Sequence, residues 1–82
     1  MDKARLTEIL NRHDPMGMLA AGCPADEYWP EVDRIATDLR TDMTEEEVSS
    51  YLDRLFAEMF GGMRVKKSIC DAMAADITAI FR

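Results

Sequence analysis

One histidine and two cysteines, His13, Cys23 and Cys70, are the residues of this chain best suited to chemistry. An imidazole beside a thiol activates a nucleophile, and with Asp14 the same set makes a candidate zinc shell. Their spacing supports neither. Zinc motifs bring ligands in close pairs, whereas Cys23 and Cys70 lie far apart and no second histidine exists. No Asp-x-Asp-x-Asp-Gly run is present, so neither Asp26-Glu27 nor the stretch from Asp42 to Glu47 reads as a calcium loop. No glycine pattern for cradling phosphate appears, and Gly61-Gly62 reads as a helix stop. The expectation is a non-enzymatic chain with no metal and no cofactor, in which His13 is a partly buried helix-end residue.

Eighty-two residues make one small domain, and 48% hydrophobic residues are enough for a packed core. Seven methionines are many for this length and read first as core filler. The net charge of −6 argues against nucleic-acid binding and against anionic membrane surfaces. It suits a basic protein partner or plain solubility. Two cysteines make no disulfide framework, and neither a signal peptide nor a membrane-length apolar run is visible. A reducing, cytoplasmic setting is the expectation.

The positioning elements read as helices throughout, at about 2–12, 30–41, 45–60 and 68–81. Leu6, Ile9, Leu10 and His13 share one face of the first. Pro30 suits the start of the second, whose buried stripe reads Trp29, Val32, Ala36, Leu39 and Met43, widened by Ile35. Thr44 and Glu47 form a capping box ahead of Val48, Tyr51, Leu52, Leu55, Phe56, Met59 and Phe60. Ser68 is the expected cap of the last helix, with Asp71 three residues on and a stripe of Ile69, Met73, Ala74, Ile77, Ile80 and Phe81. No strand alternation appears. The fold class is all-α: a small four-helix bundle with a long packed loop between helices one and two.

That loop holds Asp14-Pro15-Met16-Gly17 and then Pro24-Ala25-Asp26-Glu27-Tyr28, followed by Pro30-Glu31-Val32. The pair of motifs at this spacing resembles the small bacterial YugE-like proteins, a family of unknown function. The resemblance implies a short all-helical fold. Similar motif pairs occur in small acidic immunity proteins of toxin and contact-dependent growth inhibition systems. The chain departs from the family pattern at His13, where relatives often carry Trp, and at Trp29, where they often carry Asp. The motif residues Asp14, Pro15, Gly17, Pro24 and Pro30 have local backbone roles by default, with Glu27 and Tyr28 tying the loop back.

Charge is unevenly spread. From Asp26 to Glu47 nine acidic residues face only Arg34 and Arg40, whereas Arg64, Lys66, Lys67 and Arg82 outnumber Asp71 and Asp76 near the end. The expected function is therefore protein binding: an immunity-type protein whose acidic side occludes the basic active-site surface of a toxin, for example a nuclease. The expected contacts are Asp26, Glu27, Glu31, Asp33, Asp38, Asp42 and Glu46, with Tyr28 and Trp29 as anchors if exposed. The alternative is a stand-alone helical protein, monomer or self-associated homodimer, with no toxin partner.

Overall fold

Asp2 starts the first element. Its carboxylate accepts from the backbone N–H groups of Ala4 at 3.0 Å and Arg5 at 3.3 Å, so the free donors at the head of α1 (Lys3–His13) are met. Leu6, Ile9 and Leu10 are buried along one face, as their spacing predicts. The computed structural model describes residues 1–81. Arg82, counted above among the C-terminal cations, lies outside the described residues. Three further helices follow: α2 (Trp29–Asp38), α3 (Glu45–Met59) and α4 (Lys67–Ile80). No strand occurs among the described residues, and the fold is all-α with four helices.

The capping box of α3 is formed in both directions. Thr44 Oγ1 accepts from the Glu47 N–H at 3.1 Å, and Glu47 Oε1 accepts from the Thr44 N–H at 3.0 Å. The other end closes on Gly61 at φ 65°, a left-handed conformation that a side chain resists. The next N–H, of Gly62, reaches back to the Ala57 carbonyl at 2.7 Å. The chain then folds back, so α4 packs along α3. Val48, Leu52, Leu55 and Phe56 meet Cys70, Met73, Ala74 and Ile77 in one buried cluster, and Val65 in the connection joins it. Leu6, Ile9 and Leu10 of α1 and Val32 and Ile35 of α2 complete that core. Met73 is buried and Met16, Met18, Met43 and Met59 pack against the cluster, which fits their reading as filler. Met1 and Met63 are exposed instead.

Three expectations change. Helix α2 stops at Asp38 rather than near residue 41. Leu39 turns to extended backbone (ψ 141°), which keeps its side chain in the core while the chain swings round to Thr44. Ser68 does not cap α4. That helix begins one residue earlier, with Lys66 in the cap position and no side-chain cap bond, while Asp71 is drawn across to α3 by Ser49 Oγ at 2.6 Å. Trp29 does not head the buried stripe of α2 and is 65% exposed. Tyr28 occupies that place, one turn before Val32. A helix advances about 100° per residue, so Trp29 is carried out of the core.

Thr44→Ala removes one half of the capping box directly and frees Glu47 from the other. Denaturant unfolding is expected to show a loss of about 1 kcal/mol with an unchanged m-value.

Candidate protein-binding face

The stretch between α1 and α2 is held by one carboxylate. Asp14 ends α1 in left-handed geometry (φ 45°, ψ 57°), and its own N–H donates to the Leu10 carbonyl at 2.7 Å. A turn follows in which the Gly17 N–H reaches the Asp14 carbonyl at 2.9 Å. Pro15 sits at its second position, and Gly17 accepts φ 69°. The Asp14 side chain then collects donors from further along. The Leu19 and Ala20 N–H groups donate to it at 3.0 Å each, and the Tyr28 hydroxyl donates at 2.7 Å. That same hydroxyl accepts from the Met16 N–H at 3.0 Å. Tyr28 is fully buried, so its ring anchors the loop in the core and its oxygen ties both ends together.

The electrostatics follow from this geometry. Burial pushes the Asp14 carboxyl up, but the bonds from Tyr28, Leu19, Ala20 and Met18 outweigh burial and hold it below the usual carboxylate range. Burial, helped by the Asp14 charge, pushes the Tyr28 hydroxyl up to about 12. Tyr28 is therefore a neutral structural donor. As a partner anchor it is withdrawn, because no part of it reaches the surface. The second half of the loop is pinned by Asn11 of α1, whose Nδ2 donates to the Ala25 carbonyl at 2.8 Å. A turn then closes from the Glu27 N–H to the Pro24 carbonyl at 3.1 Å, and Pro30 takes the second position of α2. Glu27 makes no side-chain hydrogen bond among the described residues, so of the two residues expected to tie the loop back only Tyr28 does so.

Six of the seven expected acidic contacts sort into three groups, with Glu46 outside them. Glu31 is 3% exposed and leaves the surface altogether, because it precedes Val32 on the flank of α2 that turns inward. Its Oε1 has no hydrogen-bond partner among the described residues. Burial pushes its pKa up against the pull of its own backbone N–H, and the Glu27 charge adds to the rise. Asp33, Asp38 and Asp42 are exposed but already carry cations: Lys3 at 2.7 Å, Arg34 at 3.5 Å and Arg40 at 3.1 Å. Asp38 also accepts from the Tyr51 hydroxyl at 2.8 Å, which clips α2 to α3. Glu46 is exposed in the first turn of α3, apart from the head of α2. Asp26 and Glu27 form the third group: both are exposed and neither has an ion-pair partner among the described residues.

Trp29 follows this third group in the same turn. Its N–H donates to the Asp26 carbonyl at 3.0 Å, closing a turn that brings the two residues together. Asp33 stands one helical turn further on the same face. An exposed indole close in the chain to two unpaired carboxylates, on a helix head anchored by Tyr28, gives this face one apolar and one anionic component.

The chemistry-bearing residues are not brought together. His13 Nε2 lies 2.7 Å from Asp76, holding α1 to α4, and the Arg12 guanidinium approaches the same carboxylate at 3.2 Å. The Cys70 thiol is buried and pushed up by burial and by the nearby Asp53 and Asp71 charges, the opposite of an activated nucleophile. No set of three or more His, Cys, Asp or Glu side chains among the described residues could hold a metal ion. Sequence reasoning missed a groove of about 390 Å³ between α3 and the start of α4, lined by Ser49, Asp53, Arg64, Val65, Lys67 and Asp71 among others. Arg64 pairs with Asp53 through two bonds of 3.0 and 2.6 Å, and Lys67 pairs with Asp71 at 2.9 Å, so its charges hold each other. The pairs join residues 11 apart across the Gly61-Gly62 reversal and four apart along α4. Only the second spacing is a sequence signal.

Comparison of the chain with protein-family models, with curated proteins and with solved structures finds no match. No helix among the described residues is long and apolar enough to cross a membrane.

Tyr28→Phe removes the donor to Asp14 and the acceptor for the Met16 N–H. Chemical unfolding is expected to show a loss of about 1–3 kcal/mol. Asp14 titrates lower in the fold than in the unfolded chain, so its contribution is full above the ordinary carboxylate pKa and lost as pH falls through the lower folded value. Acid unfolding should accordingly begin at higher pH in Tyr28→Phe. Glu31 has the opposite sign: its folded pKa is raised, so its contribution is full at acid pH and lost as pH rises through that folded value. Melting curves of Glu31→Gln between pH 4 and 7 should show a gain over the parent that grows with pH. A constant difference across that range would contradict the assignment.

Proposed function

We propose that the chain is a non-enzymatic protein-binding module that docks on a basic protein through the head of α2. The observation that carries this reading is Trp29, 65% exposed beside Asp26 and Glu27. Tryptophan leads the residues that dominate binding energy at interfaces, and an open indole in water has a cost that a docking role explains. The uncompensated carboxylates beside it steer a cationic partner and speed its encounter.

The partner class we favour is a secreted bacterial toxin domain, with this chain as its immunity protein. Two features support that reading. The net charge of −6 suits occlusion of a surface built to hold nucleic acid, which must itself be basic. The Asp14–Gly17 and Pro24–Tyr28 motifs resemble those of the YugE-like family, among whose relatives are immunity proteins. The contact set is Asp26, Glu27, Trp29 and Asp33, with Tyr28 and Glu31 withdrawn into the core. A cytoplasmic site of action fits two cysteines that are both free thiols.

A tagged pull-down from the source cells, washed at low and then at high salt, tests this. One basic protein is expected in equal amount, released by salt and absent when the bait carries Asp26→Lys with Glu27→Lys. Both positions are exposed and unpaired, so the reversal leaves the fold intact, which circular dichroism checks. Recovery of the bait alone, together with a dimer in sedimentation, would replace the reading by self-association.

A further inference from the structure

The exposed carboxylates of this chain are not equivalent. Asp33, Asp38, Asp42, Asp53, Glu58, Asp71 and Asp76 each have a Lys, Arg or His nitrogen within 4 Å. Glu45, Glu46 and Glu47 sit in the first turn of α3, where free N–H groups face negative charge. Glu8 lies on α1, where Arg12, four residues on, pairs with Asp76 instead. Asp26 and Glu27 have neither an ion-pair partner nor a place in a helix's first turn, and they closely precede Trp29, the one exposed large aromatic residue among the described residues. Glu31 is more than nine-tenths buried, has an acceptor oxygen that no donor among the described residues reaches, and feels the Glu27 charge.

The head of α2 thus combines an exposed indole with two unpaired carboxylates close by in the chain. A single ligand chemistry answers both: a flat cation with several N–H donors. An ammonium supplies charge but is strongly hydrated and compact. A guanidinium is planar and more weakly hydrated. It stacks on an indole while its edge donates to carboxylates. Resting on the protein-binding reading above, we infer that the Trp29 face receives an arginine side chain of the basic partner, stacked on the indole and ion-paired to Asp26 and Glu27. The preference for arginine over lysine comes from the ring, and the pull toward cations in general comes from the carboxylates. The chain has itself placed a lysine nearby, on Asp33, and left Asp26 and Glu27 open. Binding of the cation also shields Glu27 from Glu31, whose charges oppose each other in the free protein.

The chain has a single tryptophan, so intrinsic fluorescence reads this site alone. The full chain is titrated with hexa-arginine and with hexa-lysine peptides at near-physiological salt, by fluorescence and by calorimetry. Hexa-arginine is expected to change Trp29 emission and to bind about two- to fivefold more tightly than hexa-lysine, the range of an exposed cation–π contact. Trp29→Leu, followed by calorimetry, should abolish that preference and keep the charge-driven part. Asp26→Asn with Glu27→Gln should weaken both peptides, whereas Asp42→Asn, already paired with Arg40, should leave the preference unchanged. Equal binding of the two peptides with unchanged emission would show general attraction to an acidic chain and overturn the inference. So would a preference that survives Trp29→Leu, or no binding at all. These failures touch the arginine assignment only; the protein-binding reading fails separately, on the charge-reversed pull-down.

Discussion

The part-buried hydrogen bond from Tyr28 to Asp14 is the constraint on which the rest of this small fold depends. A stretch from residue 14 to residue 28 has no regular ladder to satisfy its backbone, and in so short a chain that is a large unstructured fraction. Asp14 substitutes for the ladder by accepting from two loop amides and a hydroxyl. It does this as an ion in a partly covered place, where the donors outweigh the cost of leaving water. The same bond fixes the rotation of α2. With the Tyr28 ring in the core, the next residue must point outward and the residue three further on must lie along the buried flank. Exposed Trp29 and buried Glu31 are both consequences of that single anchoring.

Ion pairing divides what looks in the linear chain like one acidic side. Local pairs such as Arg34–Asp38 and Arg40–Asp42, and the distant pair Lys3–Asp33, neutralise the exposed face of α2 beyond its first turn. Each is worth little to stability at such exposure. Their effect is on the field: Asp26 and Glu27, ahead of α2, keep no cation of their own and stand close to exposed Trp29 in the chain. On the proposed binding reading, a partner attracted by charge meets an apolar contact there as well. Specific docking needs both, since charge alone selects no orientation.

The polar groove between α3 and α4 makes a useful contrast. It is the more concave feature and its lining is rich in ionisable groups, yet Arg64–Asp53 and Lys67–Asp71 are closed on one another, and Ser49 completes the second pair. A ligand there would have to break bonds already made. At the head of α2 Asp26 and Glu27 are open, so a cation pairing with them would break no ion pair.

The helices and their caps were written locally. The spacing of Leu6, Ile9 and Leu10, the Thr44–Glu47 box and the Gly61-Gly62 stop each act within a few residues, so the sequence alone determined that the chain is four helices with an ordered connection between the first two. The motif Asp14 to Gly17 was legible as a reversal for the same reason. What lay beyond the sequence was orientation. The period of α2 admits either Tyr28 or Trp29 at the head of its buried stripe, and a hydroxyl partner twelve to fourteen residues away decides between them. Glu31 reads as a surface acid in any local window, and only the packing of α2 against the rest of the core covers it. Which carboxylates remain free was likewise a tertiary matter, because Lys3 reaches Asp33 across 30 residues and Arg12 reaches Asp76 across 64. Local sequence sets conformations within a turn or two of itself; the pairing of charges and the rotation of a helix are settled only when distant side chains meet.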